Sequence, residues 1–154
     1  KNHAIKGTLA ITGNPGWVRG YRMIDTDARV WLGEDGIVRI QYPQDFNLTL
    51  QVMQAVNQQH RRLSTDKRPV LVYAESVASA EYEAQQFAST EQAIEITACL
   101  AIIVKSFFTR AMAELFMKFH KPPYPTRVFN DEVAALAWLG TFLPNEAGVS
   151  GTRQ

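Results

Sequence analysis

Residues 69–74, Pro69-Val70-Leu71-Val72-Tyr73-Ala74, and residues 98–104, Ala98-Cys99-Leu100-Ala101-Ile102-Ile103-Val104, are two uninterrupted apolar runs, and their reading decides the fold. A strand with one wet face alternates polar and apolar residues; a continuous, β-branched run bounded by turn residues suits a strand covered on both faces. Such strands belong to parallel sheets layered with helices. The two runs are therefore expected side by side at the centre of one sheet.

Between the runs, a helix is predicted from about Ser79, with Ser79 as its cap, Glu81 and Glu83 in the first turn where the helix dipole favours negative charge, and an end near Glu95. After the second run, Ser106 opens another helix. There Phe108, Met112, Leu115 and Phe119 fall at i, i+4, i+7 and i+11, a stripe predicted to face the sheet. Pro122-Pro123-Tyr124-Pro125 stops it, a short strand follows over 126–129, and Asn130 caps a last helix with Val133, Leu136, Leu139 and Leu143 inward.

Toward the N-terminus, Asn47 is read as the cap of a helix carrying Leu48, Val52, Val56 and Leu63. Before it, Val30 and Leu32, the turn Gly33-Glu34-Asp35-Gly36, and Val38, Ile40 and Tyr42 spell a β-hairpin with one face on the core. Gly13-Asn14-Pro15-Gly16 marks a turn between weakly apolar segments at 5–11 and 17–21. Alternating strands and helices give an α/β fold: a mixed, mainly parallel sheet with an N-terminal β-hairpin and four helices. The expected organisation is an arm or added hairpin over 1–26, one α/β domain over 27–143, and a flexible tail over 144–154.

The chain's 154 residues suit a single core, and 46% hydrophobic against 20% charged residues is a globular composition. Sixteen basic and fifteen acidic residues leave a formal charge of +1, so no overall field draws the molecule to nucleic acid or an acidic membrane; such a partner needs a local patch. Cys99 is the one cysteine, which excludes an intrachain disulfide and fits a reducing cytoplasm. No segment reaches the roughly 18 consecutive apolar residues of a membrane span.

Three stretches carry a family resemblance: Lys67-Arg68-Pro69-Val70-Leu71-Val72, Tyr124-Pro125-Thr126-Arg127-Val128-Phe129, and Asp131-Glu132 with Ala135-Leu136-Ala137-Trp138-Leu139. Together with the element order, they resemble an uncharacterised bacterial branch of the STAS superfamily, the SpoIIAA-like anti-sigma-factor antagonists. The resemblance implies a regulatory serine or threonine, preceded by aspartate, at the start of the helix after the first buried strand. Here that junction reads Glu75-Ser76-Val77-Ala78-Ser79-Ala80-Glu81-Tyr82. The Asp-Ser pair is missing, and Glu75, Glu81 and Glu83 would oppose a phosphate on Ser79. The phosphoacceptor role is not carried over.

No glycine-rich phosphate loop, zinc-protease helix or cysteine pair is present. His3, His60 and His120 are far apart in sequence, and no metal or cofactor is expected; His60 and His120 read as cations at helix ends. Cys99 reads as buried filler. The basic group from His60 to Arg68 lacks interleaved aromatics and reads as solvated. Lys105, Ser106 and Arg110, at a strand's carboxyl end, are the candidate ligand-binding residues, against the plainer reading of a cap and two surface cations. The leading functional expectation is a non-enzymatic interaction or regulatory module with a protein partner, acting through the junction of Glu75, Ser76, Ser79, Glu81 and Tyr82. A carrier of a small lipid or nucleotide ligand is the second expectation, and an enzyme whose groups assemble from distant positions the third. Late aromatics from Phe107 to Phe142 further suggest a homodimer.

Overall fold

The computed structural model of the protein describes residues 26–144 and the backbone of two short antiparallel strands, β1 (Trp17–Val18) and β2 (Tyr21–Arg22). The turn expected at 13–16, the 5–11 segment, His3 and nearly all of the C-terminal tail lie outside the described residues. There follow β3 (Arg29–Leu32), β4 (Val38–Gln41), β5 (Phe46–Leu48), α1 (Leu50–Leu63), β6 (Arg68–Tyr73), β7 (Val77–Ala80), α2 (Tyr82–Phe87), α3 (Glu91–Ile94), β8 (Thr97–Ile103), α4 (Phe107–Phe119), β9 (Thr126–Phe129) and α5 (Glu132–Gly140). The main sheet has the order β3-β4-β6-β8-β9. Within that sheet only the β3–β4 pair is antiparallel.

The two apolar runs are the adjacent strands β6 and β8, in register from Val70 opposite Leu100 to Tyr73 opposite Ile103. Because side chains alternate across a strand, each run feeds two cores. Val70 and Val72 join Val38, Ile40 and Val56 on the face covered by α1. Leu71, Cys99, Ala101 and Ile103 pack with Ala135 and Leu139 of α5 on the other. The β3–β4 turn needs a left-handed residue, which Gly36 supplies at φ 82°. Asp35 locks it, accepting from the Ile37 N–H at 3.1 Å and pairing with Arg39 at 2.7 Å.

Several sequence expectations are corrected. Asn47 is not a cap; it lies in β5, and Thr49 caps α1 by accepting from the Val52 N–H at 3.2 Å. Ser79 does not open a helix, because 77–80 is held extended as β7 by parallel pairing with β5, and the intended helix is two short ones, α2 and α3. Ser79 instead donates to Asn47 Oδ1 at 2.5 Å. Leu63 is exposed: α1 turns Ala55, Val56, Asn57 and His60 inward, fixed by the Asn57 amide donating to the Gln92 carbonyl at 3.2 Å. Asp131, not Asn130, caps α5, since its carboxylate reaches both the Val133 and Ala134 N–H groups. Val133 is consequently 75% exposed in the first turn, while Leu139 is fully buried.

Candidate functional site

The α1 face of the sheet is only partly filled. Toward the carboxyl ends of the parallel strands, Val72 of β6 with Ala74 just past it, and Leu100 and Ile102 of β8 with Val104 just past it, form the floor of a cavity of about 180 Å³. Met112, Ala113 and Phe116 of α4 roof it, and Ala84, Gln85 and Ala88 around α2 wall it. The space exists because five facing positions, Ala74, Ala80, Ala84, Ala88 and Ala113, carry only a methyl group. A second hollow of about 200 Å³ shares Gln85, Met112 and Phe116 with the first and reaches Leu115, Phe119 and His120 at the surface. The cavity's polar groups are few. Gln85 donates to the Ala80 carbonyl at 3.0 Å, the Thr109 hydroxyl is held by Glu75, and burial pushes the Tyr42 phenol above its ordinary pKa. A lining of this kind suits apolar matter.

The roof helix is anchored at its end rather than by its face. No residue of α4 is fully buried. Glu75, just past β6, accepts from the N–H groups of Lys105 at 2.5 Å and Ser106 at 3.1 Å and from the Thr109 hydroxyl at 2.9 Å. Ser106 caps α4 as expected, accepting from the Thr109 N–H at 3.1 Å. Tying Thr109 to Glu75 sets the rotation of α4, so Thr109, Met112, Ala113 and Phe116 look inward. The predicted stripe is thereby corrected: Met112 is on the inner face, but Phe108, Leu115 and Phe119 are 68%, 56% and 67% exposed.

The predicted site residues do not converge. Glu75, Lys105 and Ser106 meet at the α4 N-terminus, where the Glu75 carboxylate already occupies the place a bound anion would take. Arg110 pairs with Glu114 at 3.2 Å on the outer side. Ser76 donates to the Tyr42 carbonyl at 2.8 Å, Ser79 belongs to the β5–β7 ribbon, and Glu81 precedes α2 without a side-chain cap bond. Tyr82 packs edge-on against His120, ring centres 5.0 Å apart. The cavity itself was missed from the sequence; its signal was the run of alanines on facing elements, which also reads as ordinary helix and strand filler.

Cys99 is fully buried, and burial pushes its thiol up to about 12. His60 departs from the expected helix-end cation: it is 3% exposed, its Nε2 has no hydrogen-bond partner, and burial, aided by Arg61, lowers its pKa to about 4. Arg61 beside it is taken up by Asn57, the Gln92 carbonyl and Glu95. Among the described residues no three His, Cys, Asp or Glu side chains are grouped to share a metal ion, and no helix is long and apolar enough to cross a membrane.

A family model described as "Domain of unknown function (DUF7793)" matches residues 30–143. An uncharacterized protein from the DUF3478 family with a SpoIIAA-like fold, from Shewanella loihica PV-4, is similar in structure with a TM-score of 0.53 at 15% identity, covering 73% of this chain and 91% of that one. At that identity the likeness shows the fold, a SpoIIAA-like one, as the element order and the resemblance implied. A protein with unknown function from Arthrobacter sp. FB24 shares 24% identity over 75% of this chain and 95% of its own, with a TM-score of 0.28. No curated protein matches the chain.

Proposed function

The chain belongs to the family described as Domain of unknown function (DUF7793), and we propose that it is a non-enzymatic binding module whose site is the cavity beneath α4. The ligand is a small apolar molecule, a single ring or a short alkyl chain. One observation carries the reading: an apolar space of about 180 Å³ under a helix that buries none of its own residues completely. Empty apolar cavities of roughly 150 Å³ stay dry and take up benzene-sized guests. Leaving such a space unfilled forfeits dispersion contacts, and a guest restores them.

Thermal unfolding across a series of alkyl alcohols, short fatty acids and substituted benzenes tests it. A guest at a hundred times its Kd adds about 2.7 kcal/mol, or roughly 5–10 °C in Tm for a domain of this size. A flat Tm across the whole series, with no co-purifying molecule by native mass spectrometry, would overturn the reading.

A second reading keeps a protein partner at the junction of Ser76, Ser79, Glu81 and Tyr82. It is favoured by one feature: β7 pairs only with β5 among the described residues, and Tyr82 beside it is 59% exposed. A Glu81→Arg, Tyr82→Ala double variant with unchanged partner recovery would remove that surface.

A further inference from the structure

The outer flank of α4 is a large unpartnered apolar surface on a helix that roofs a cavity. Phe108, Leu115 and Phe119, at i, i+7 and i+11, share one side, and Phe107 at the helix head is 89% exposed. Patches of this kind mark association sites. We infer that this flank docks on an anionic lipid surface.

Charge selects the occupant. Residues 105–121 contain Lys105, Arg110, Lys118 and Lys121 against the single acid Glu114, in a chain whose formal charge is only +1. Arg110 and Glu114 pair with each other, whereas Lys105, Lys118 and Lys121 are exposed and make no ion pair with a described residue. Lys118 Nζ lies 5.6 Å over the Phe119 ring, a cation at the margin of the apolar surface. The neighbouring acids come from other elements: Glu75 at the helix head is engaged by the Lys105 and Ser106 N–H groups and the Thr109 hydroxyl, and Glu81 and Glu83 flank Tyr82, which packs on His120 at the helix's C-terminal end. A second copy docked through this flank would bring like charges together; acidic headgroups meet the lysines while acyl chains receive the rings. The hollow between Leu115, Phe119 and His120 places the flank at the mouth of the cavity. Docking does not require the cavity to be occupied, so the two readings fail separately.

The test is co-sedimentation of the full chain with phosphatidylcholine vesicles, with and without about 30% phosphatidylglycerol. Binding at least about tenfold stronger to the anionic vesicles, weakened at about 1 M salt, is expected. Phe108→Ala with Phe119→Ala should lower it by about tenfold and Lys118→Glu by about fivefold. Both variants should keep the wild-type melting curve, because the altered side chains are exposed. Equal binding to both vesicle types, no binding, or an unaffected double variant would overturn the inference. So would a dimer by light scattering that the double variant turns into a monomer, which would assign the flank to a second copy.

Discussion

The Glu75 carboxylate accepts the backbone N–H of Lys105 at 2.5 Å, so the end of β6 holds the start of α4. The Lys105 bond, followed by those from Ser106 and Thr109, keeps the Glu75 carboxyl below its ordinary value of 4.5. A depressed carboxyl stabilises the fold above its unfolded pKa, and that contribution is lost as pH falls through the folded value. Glu75→Ala should destabilise by about 1 kcal/mol, as loss of a cap does. Amide exchange should quicken in α4 and not in β8, with Glu75→Gln intermediate; equal exchange in all three proteins would show that α4 is held elsewhere.

Ala113 roofs the cavity and is half-buried. Ala113→Leu adds three carbons into that space at little cost in helix propensity, which should stabilise the guest-free protein by about 1–2 kcal/mol. Guest binding should fall together with the rise in Tm. A Leu variant that still shows the full ligand-induced shift would place the guest outside the cavity.

His60 gives the fold a dependence on pH. Its imidazole has a pKa of about 4 in the native protein, against an ordinary 6.5. Between those values the unfolded chain binds a proton that the native one refuses, so stability rises with pH across the window and is complete above it. The swing amounts to about 3 kcal/mol at most. Urea unfolding near pH 7.5 and near pH 4.5 measures it. His60→Leu should flatten the difference, and an unchanged slope in that variant would assign it to other groups.

Leu139 and Val133 stand in the same helix with opposite fates. Leu139 is fully buried against Leu71 and Cys99, while Val133 is 75% exposed. Leu139→Ala should lower stability by about 2–5 kcal/mol, and Val133→Ala should stay within about 0.5 kcal/mol. Comparable losses from the two, by denaturant unfolding, would mean that α5 is rotated from the orientation described.

The frame of the fold is legible in local residue order. The runs at 69–74 and 98–104, the hairpin around Gly33 and Gly36, the Ser106 cap and the strand at 126–129 are local patterns, legible because strand burial, turn geometry and capping act over a few neighbouring residues. Which side of each helix meets the sheet depends on contacts between residues far apart in the chain. A hydrophobic stripe records that a helix has an apolar face, but α4 is apolar around much of its circumference, and long-range contacts, the tie from Glu75 to Thr109 at one end and Tyr82 against His120 at the other, set Thr109, Met112, Ala113 and Phe116 as the inner side. The same holds for β7, extended because β5 lies beside it, and for His60, neutral because its surroundings exclude water. The cavity is the clearest case. It is a shortage of volume where small side chains from strands and helices distant in the chain come together, and a shortage shared among them is written in none of their segments.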